Sequence, residues 1–409
     1  YMYSKNNKKK KILLIHRYFW PDRSSCSSIL FNISKKFSSQ GNRVHVVTSF
    51  PKRFNIKLSN KYVRTTDRKS GLLIKRLNLL TENNSPFQRV INAILLAYFG
   101  SLKLIRNKHD IVIVTSCPPV LTAFILASIT KLINKKLIYY CMDINPEIGI
   151  INGDFRNKLL IKLMFFLDKW TCNNSTKIVV HSESMKETIL KRYKKPKNLN
   201  IEIINSFTVS KKEEEIKANL LNFVTNKNGI NVIYAGNVGR FQGLENVIRG
   251  FAKIKVHKNI RLIILGNGTE KNKLKKLNKQ LKANIIFLDQ VSIEQSKSII
   301  AKCDLGLVSL IPNIHKYAYP SKTMAYLEKN IPILGLVEKD SDLSQDIIRN
   351  NIGYIVPLND EKGLINLLLN LNKDHSWKRK LKKNVFEVFK KEFSDKVILK
   401  RWNNLITSI

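Results

Sequence analysis

Short apolar runs rich in β-branched residues recur along this chain, and most are followed by a stretch whose apolar residues return at helical spacing. In the first half the runs are Lys11–Ile15, Arg43–Thr48, Gly71–Arg76, Ile111–Thr115, Lys136–Cys141, Lys177–His181 and Ile201–Asn205. In the second they are Ile230–Ala235, Arg261–Leu265, Ile285–Leu288, Leu305–Leu310, Ile331–Leu334 and Gly353–Val356. Strand alternating with helix predicts an α/β class with doubly wound parallel sheets, because parallel neighbours need a crossover and a helix supplies it. The 409 residues exceed one ordinary core and suffice for two. Ser210 to Asn228 is charged and poor in β formers, so it separates the halves. The expected organisation is a first domain over 1–208, a linker over 209–228, a second domain over 229–392, and a last helix over 393–409 that could return to the first domain. Two such sheets are expected to face each other across a cleft.

The charge balance is unusual. Lys and Arg number 72 against 30 Asp and Glu, a net charge of +42, while hydrophobic content is 44% and charged content 25%, both ordinary for a globular protein. A chain so basic is drawn to polyanions: nucleic acid, an anionic membrane surface, or phosphorylated substrates. No basic helix with interleaved base-stacking aromatics is visible, so nucleic acid is not expected as a partner. The run Lys8–Lys11 reads as a solvated arm. Five scattered cysteines with no CxxC suggest a reducing compartment and no structural zinc. The start is polar and basic, so no signal peptide is expected. Ile111 to Thr130 is uncharged but broken by Pro118-Pro119, and Val90 to Leu102 is too short to cross a bilayer. The helix expected over Pro86–Arg106 has a basic rim of Arg89, Lys103 and Arg106 beside Phe87 and Tyr98; it suits either a membrane interface or packing on the sheet.

Four stretches carry chemistry. Val232-Ile-Tyr-Ala-Gly-Asn-Val-Gly-Arg-Phe-Gln-Gly-Leu-Glu245 reads as strand, glycine loop and helix start, the arrangement that offers bare backbone N–H groups and a helix terminus to a phosphate. It also reads as a βα turn with no ligand. Leu265-Gly-Asn-Gly268 is a second glycine turn at a strand end. Tyr317-Ala-Tyr-Pro-Ser-Lys322 leads into a helix that Ser321 could cap, with Lys322 in its first turn. A cation there opposes the helix dipole unless an anion sits beside it, which favours Lys322 as a phosphate ligand. In the first half, Met142-Asp-Ile-Asn-Pro-Glu147 places Asp143 and Glu147 just past a parallel strand, where open α/β sheets hold ligands. Asp340-Ser-Asp342 reads as a solvated loop rather than a metal site.

Taken in order, these motifs resemble bacterial glycosyltransferases of family 4, the retaining group-1 transferases with the two-Rossmann GT-B fold. The resemblance runs over nearly the whole chain: His16-Arg-Tyr-Phe-Trp-Pro-Asp22, Thr115-Ser-Cys-Pro-Pro119, Tyr139 to Gly149 (similar to the family's DxxPE segment), Tyr234 to Leu244, Leu265 to Gly268, and Ala318-Tyr-Pro-Ser-Lys322. It implies a nucleotide-sugar donor held mainly by the second domain. Gly236, Asn237, Gly239 and Gln242 would face the diphosphate with Arg240 neutralising charge. Gly266 and Gly268 would lie near base or ribose, and Tyr319, Pro320, Ser321 and Lys322 near phosphate or sugar. The acceptor would lie in the first domain near Phe19, Trp20, Ser24, Ser25, Asp143 and Glu147. Two positions depart from the pattern: the family's paired glutamates fall at Tyr317 and Ala325, and the lysine often found in the phosphate loop is Gln242. The Pro-Ser-Lys-Thr variant resembles lipopolysaccharide and capsule enzymes.

The expected reaction is retaining transfer of a sugar, from a donor of the UDP type, to a polyprenyl-diphosphate-linked saccharide of a bacterial surface polysaccharide. Arg240, Lys322 and the helix termini would stabilise the leaving diphosphate, and Asp143 would orient the acceptor or take its proton. No cofactor and no metal are required. The expected location is cytoplasmic, peripheral on the inner face of the plasma membrane. An epimerase acting on the nucleotide-sugar and an inactive binding subunit of the same architecture stay open as alternatives.

Overall fold

The computed structural model describes residues 9–22, 24–51, 64–80, 85–116, 120–153, 155–193, 198–209, 214–216, 220 and 229–409. Lys8, the segment Cys117–Pro119 and most of the expected linker over 209–228 lie outside them. The chain divides into two compact units, Tyr1–Asn205 with Ile398–Ile409, and Ser206–Val397.

The first unit is built on strands β1 (Lys11–Ile15), β2 (Arg43–Ser49), β3 (Thr66–Lys69), β4 (Leu72–Leu77), β5 (Ile111–Thr115), β6 (Lys136–Tyr140), β7 (Lys177–Val180) and β8 (Ile201–Ile203). Their order is β3-β4-β2-β1-β5-β6-β7-β8, parallel throughout except for the β3–β4 pair. Helices α1 (Ser25–Ser39), α2 (Pro86–Asn107), α3 (Leu121–Leu132), α4 (Glu147–Ile151), α5 (Lys158–Asn174) and α6 (Glu183–Lys191) make the crossovers. β5 is buried at every residue, as a strand covered on both faces by helices must be. Side-chain caps start several helices: Ser24 accepts from Ser27 N for α1, Ser85 from Gln88 N for α2, and Ser182 from Met185 N for α6.

β3 escaped sequence reading. It is polar and short, and it pairs antiparallel with β4 across Ser70-Gly71, both at positive φ (52° and 77°). That is the two-residue hairpin geometry, which begins the β4 strand at Leu72 rather than Gly71.

The second unit orders its strands β11-β10-β9-β12-β13-β14, all parallel. They are β9 (Ile230–Ala235), β10 (Ile260–Leu265), β11 (Ile285–Leu288), β12 (Leu305–Ser309), β13 (Ile333–Leu336) and β14 (Gly353–Val356). Their helices are α7 (Leu244–Lys253), α8 (Lys271–Leu281), α9 (Ile293–Ala301), α10 (Lys322–Glu328), α11 (Asp342–Asn350), α12 (Glu361–Lys373) and α13 (Ser376–Val388). β13 begins two residues later than the run Ile331–Leu334 suggested, because Ile331 N bonds Tyr326 O and closes the α10 turn. Val232, Tyr234, Val247, Ile248, Phe251, Leu262 and Ile264 form the centre of the unit's core.

The last helix, α14 (Asp395–Thr407), begins near the end of the second unit, and its residues from Ile398 onward belong to the first. Trp402 is buried there, its ring edge-on to Phe37 at 6.4 Å and to Tyr140 at 4.9 Å. Lys10 Nζ donates to Ile406 O at 2.6 Å.

Candidate functional site

In the second unit the chain winds outward from β9 through β10 to β11, then returns through α9 to the other side of β9 as β12. The β9–β12 boundary is therefore the topological switch point, where crossovers diverge and leave a crevice at the carboxyl ends of the strands. The loops bordering it are 236–243, after β9, and 310–321, after β12. Both glycine turns and the Tyr-Pro-Ser-Lys stretch singled out by sequence meet at this edge of the sheet.

The two glycine turns lock together through backbone. Gly236 N donates to Leu265 O at 2.9 Å, Val238 N to Asn267 O at 3.0 Å, and Glu270 N to Val238 O at 3.0 Å. Gly266 has φ +142°, and a Cβ there would stand 2.0 Å from Gly236 O. Gly236 itself has φ +145°, with Lys322 Cε 3.5 Å from where its Cβ would be. Only glycine meets both demands. Gly268 lies beneath the Val238 backbone at the same junction. Beyond the turn, Arg240–Gln242 form one turn of 3-10 helix and Gly243 leads into α7.

Lys322 is the charged group at the centre of this arrangement. Its Nζ donates to Tyr234 OH at 3.0 Å and stands 4.3 Å from the Tyr234 ring centroid. Tyr234 OH in turn donates to Asn237 O at 2.5 Å, so ammonium, phenol and loop carbonyl form one chain. Among the described residues no carboxylate pairs with Lys322. Burial alone pushes its ammonium down to about 7 from the usual value of 10.5. A lysine with no carboxylate partner among the described residues, set beside a glycine turn, is chemically suited to an anion.

The other expected donor residues are placed as follows. Arg240 is on the rim, its side chain 72% exposed and its Nε 3.5 Å from Glu270 Oε1. Asn237 is exposed beside the turn, and Gly239 N donates to Gln242 Oε1 at 2.9 Å. Gln242 thus braces the loop from within, and its carbonyl accepts from Ser309 Oγ. Tyr319 is buried, its hydroxyl 3.3 Å from Asp346 Oδ2; Asp346 is pushed up to about 6 by burial. Pro320 is half-buried in the 310–321 loop. Ser321 occupies the position before α10 in helical geometry and makes no side-chain cap, contrary to expectation. Tyr317 and Ala325, where paired glutamates were expected, are half-buried.

Two residues that sequence reading missed hold the crevice in shape. Tyr326, on the buried side of α10, sends its hydroxyl between the diverging strands, 3.2 Å from Ile233 O and from Leu307 O, and accepts from Ala235 N at 3.0 Å. It takes over where the β9–β12 ladder stops, after Gly306↔Ile233. Lys271 is buried at the start of α8, and its Nζ donates to Gly266 O, Asn267 Oδ1, Leu288 O and Asp289 Oδ1 at 2.7–2.9 Å. It staples the second glycine turn. Neither residue has a motif; a lone lysine in a lysine-rich helix looks solvated.

Near the same loops, ligand atoms of His315, Glu338 and Asp340 lie within 4.8 Å of one another. His315 Nδ1 is already engaged with Glu338 Oε2 at 2.9 Å, and Asn313 N donates to the same oxygen at 2.6 Å. That arrangement ties down the 310–321 loop. Of the Asp340-Ser-Asp342 stretch, Asp340 is exposed, Ser341 caps α11 and Asp342 begins it.

In the first unit the switch point lies between β1 and β5. The expected acceptor residues are placed as follows. Phe19 is 1% exposed, a core residue packed edge-on against Phe31, rather than a surface for a ligand. Trp20 is half-buried, stacked on Phe31 at 5.9 Å with Lys69 Nζ 5.2 Å from its ring. Ser24 caps α1 and its hydroxyl meets Ser27 Oγ at 2.6 Å, and Ser25 is the first residue of α1. Glu147 gives both carboxylate oxygens to Arg192, at 2.9 and 2.5 Å. Arg192 also pairs with buried Asp168, which accepts from Tyr139 OH at 2.6 Å. Glu147 therefore ties the start of α4 to the end of α6. Asp143 differs from all of these. It is exposed at the end of β6, and its own N–H and that of Met142 donate to Ser116 Oγ at 3.2 and 3.1 Å. Dense packing around its carboxyl pushes it up to about 6, an effect that solvent at the exposed edge works against.

Known proteins match this picture. The sequence model of the family "Glycosyl transferases group 1" matches residues 217–388, the part that carries the glycine turns and Lys322. Among curated proteins the chain is 24% identical over 299 residues to a probable glycosyltransferase, WbjE of Pseudomonas aeruginosa, covering 70% of this chain and 73% of that one. Among solved structures it superposes on a sucrose-phosphate synthase of Thermosynechococcus elongatus with TM-score 0.74 and 14% identity, covering 98% and 99% of the two chains. It superposes on Anabaena HepE, solved in complex with UDP, with TM-score 0.70 and 13% identity, covering 98% and 100%. The two sheets are those of the GT-B fold.

Proposed function

We propose that this chain, a glycosyltransferase of the GT-B fold, moves a sugar with retention from a nucleotide-sugar of the UDP type to a polyprenyl-diphosphate-linked saccharide destined for a bacterial surface polysaccharide. The observation that carries the donor half is Lys322: an ammonium with no carboxylate partner among the described residues, lodged beside the glycine turn at the switch point of the matched segment. That HepE was solved with UDP, on the same fold, supports the nucleotide type.

When the sugar leaves, negative charge gathers on the diphosphate. Lys322, held by Tyr234 before the sugar departs, meets that charge from inside the crevice, and Arg240 meets it from the rim. Oriented donors need no rearrangement at the moment of reaction, so they stabilise the departing group more than the bound substrate. Lys271 and Tyr326 do not touch the substrate in this account; they fix the turns that do. Asp143, exposed and raised, is the group of the first unit suited to orient an acceptor hydroxyl or receive its proton. No step calls for a metal.

The lipid-linked acceptor rests on charge and on the surface of the first unit: a net +42, and apolar side chains exposed on α2. A second reading, an inactive binding subunit, is favoured by Tyr317 and Ala325 in place of the paired glutamates. Release of UDP from UDP-sugars in the presence of a bacterial lipid extract that supplies polyprenyl-diphosphate-linked saccharides as acceptors, measured for the wild type, Lys322→Ala and Arg240→Ala, separates the two. Under the transferase reading the wild type releases UDP, Lys322→Ala loses at least roughly a hundredfold, as removal of one oriented donor does, and Arg240→Ala loses less. UDP binding without any release by the wild type favours the inactive subunit.

A further inference from the structure

The helices α2, α3 and α5 pack side by side as one layer on the first unit's sheet. Each follows a parallel strand and runs back to the start of the next, so all three amino ends lie at the carboxyl edge, the edge that carries Asp143. A helix in this position ordinarily shows solvent a charged stripe. α2 does not: from Val90 to Leu102 it contains no charged residue, and its outward positions are Phe87 (73% exposed), Val90, Ile94 and Tyr98. α5 repeats the anomaly with Leu159 (75% exposed), Leu163 and Phe166. Exposed apolar residues grouped in this way mark an interaction surface, whereas single ones carry no meaning.

The charges beside these residues identify the partner. Arg89, Arg156, Lys158 and Lys162 are exposed around the amino ends of α2 and α5. The three helices contain one acidic residue, Asp168, and it is buried and paired with Arg192. An apolar face with cations at its amino ends and no exposed acid among the described residues of its helices is complementary to an anionic bilayer: the apolar side chains enter the acyl boundary and the cations meet the headgroups.

We propose that the outer face of α2 and α5 in the first unit is a docking surface for an anionic phospholipid bilayer, seating the carboxyl edge with Asp143 at the membrane surface. The purpose of such a seat rests on the lipid-linked acceptor reading; the geometry does not.

The test is flotation of the full chain with vesicles of equal parts phosphatidylcholine and phosphatidylglycerol, and with phosphatidylcholine alone, at low salt. Serine replacements change apolarity without changing charge. Phe87→Ser with Phe166→Ser, and independently Tyr98→Ser with Leu163→Ser, are compared with a control, Val256→Ser with Phe386→Ser, exposed apolar residues of the second unit. The wild type is expected to float with the anionic vesicles and not with the neutral ones. Each test pair is expected to weaken binding roughly tenfold or more, as loss of buried apolar area does, and the control pair to bind as the wild type. A wild type that stays down overturns the proposal, and so do test pairs that float unchanged. Test pairs that convert a dimer into monomers, with vesicle binding intact, overturn it too and make the face a contact between copies. Thermal shift with UDP is read in parallel on every protein. A retained shift with failed flotation sinks the surface alone, and a wild type with no shift sinks the donor reading whatever the flotation shows.

Discussion

Lys322 has to satisfy opposing demands, and its protonation should show it. With its ammonium held near 7 in the empty protein, a bound diphosphate would restore the proton and raise the value again. Binding of UDP is then expected to take up protons between about pH 7 and pH 10 and to weaken as pH rises through that range. The sign for stability is opposite. A lysine lowered in the folded state binds fewer protons than in the unfolded chain, so the empty protein gains stability as pH rises from about 7 toward 10.5. Calorimetry of UDP binding at pH 8 in buffers of different ionisation enthalpy checks the uptake, and Lys322→Met should abolish it. Tyr326 is the structural counterpart. Tyr326→Phe keeps the ring and removes the hydroxyl from three backbone groups in a dry site, which should cost about 1–3 kcal/mol in chemical denaturation of the second unit. Lys322 stands out in the sequence because a cation in a helix's first turn is a local anomaly. Tyr326 and Lys271 do not, because their work is to fill a gap between strands that exists only after the sheet has formed.

Elements were legible to the extent that their signal is periodic. The buried strands and the long amphipathic helices stand where the apolar runs put them, with ends displaced by local bonds such as Ile331 N to Tyr326 O. β3 was invisible because an edge strand of Thr-Asp-Arg-Lys has no apolar alternation, and only the Ser70-Gly71 turn betrays it. Three of the expected acceptor residues, Phe19, Ser24 and Glu147, are engaged within the fold, and for one shared reason. A strand-end position says that a side chain lies near the ligand edge, not which way it points. Phe19 turns into the core, Ser24 caps a helix and Glu147 turns toward α6. The last of these supports a prediction about how elements are joined. Arg192→Met leaves Glu147 and buried Asp168 without their cation. Breaking such a pair from one side should destabilise the first unit by about 3–5 kcal/mol. Urea denaturation followed by Trp fluorescence reads it, and a cost below about 1 kcal/mol would mean that the network is solvated in solution.

For the molecule as a whole, alternation of strand and helix announced two parallel sheets, and the structure contains both. Where the final helix would end was open in the sequence, and Trp402 closing over Phe37 and Tyr140 places it with the first unit. The net charge of +42 names a class of partner and no position; the proposed positions are Lys322 in one unit and the apolar face of α2 and α5 in the other. The claim on which the functional account turns is that the switch point of the second unit binds a nucleoside diphosphate. Thermal shift of the full chain against UDP, GDP, CMP and ADP tests it most directly. At a hundred times its dissociation constant a ligand adds about 2.7 kcal/mol to the unit that holds it. The account predicts a clear upward shift with UDP that disappears in Lys322→Met. No shift with any of the four nucleotides, or a UDP shift undiminished in that variant, would contradict it.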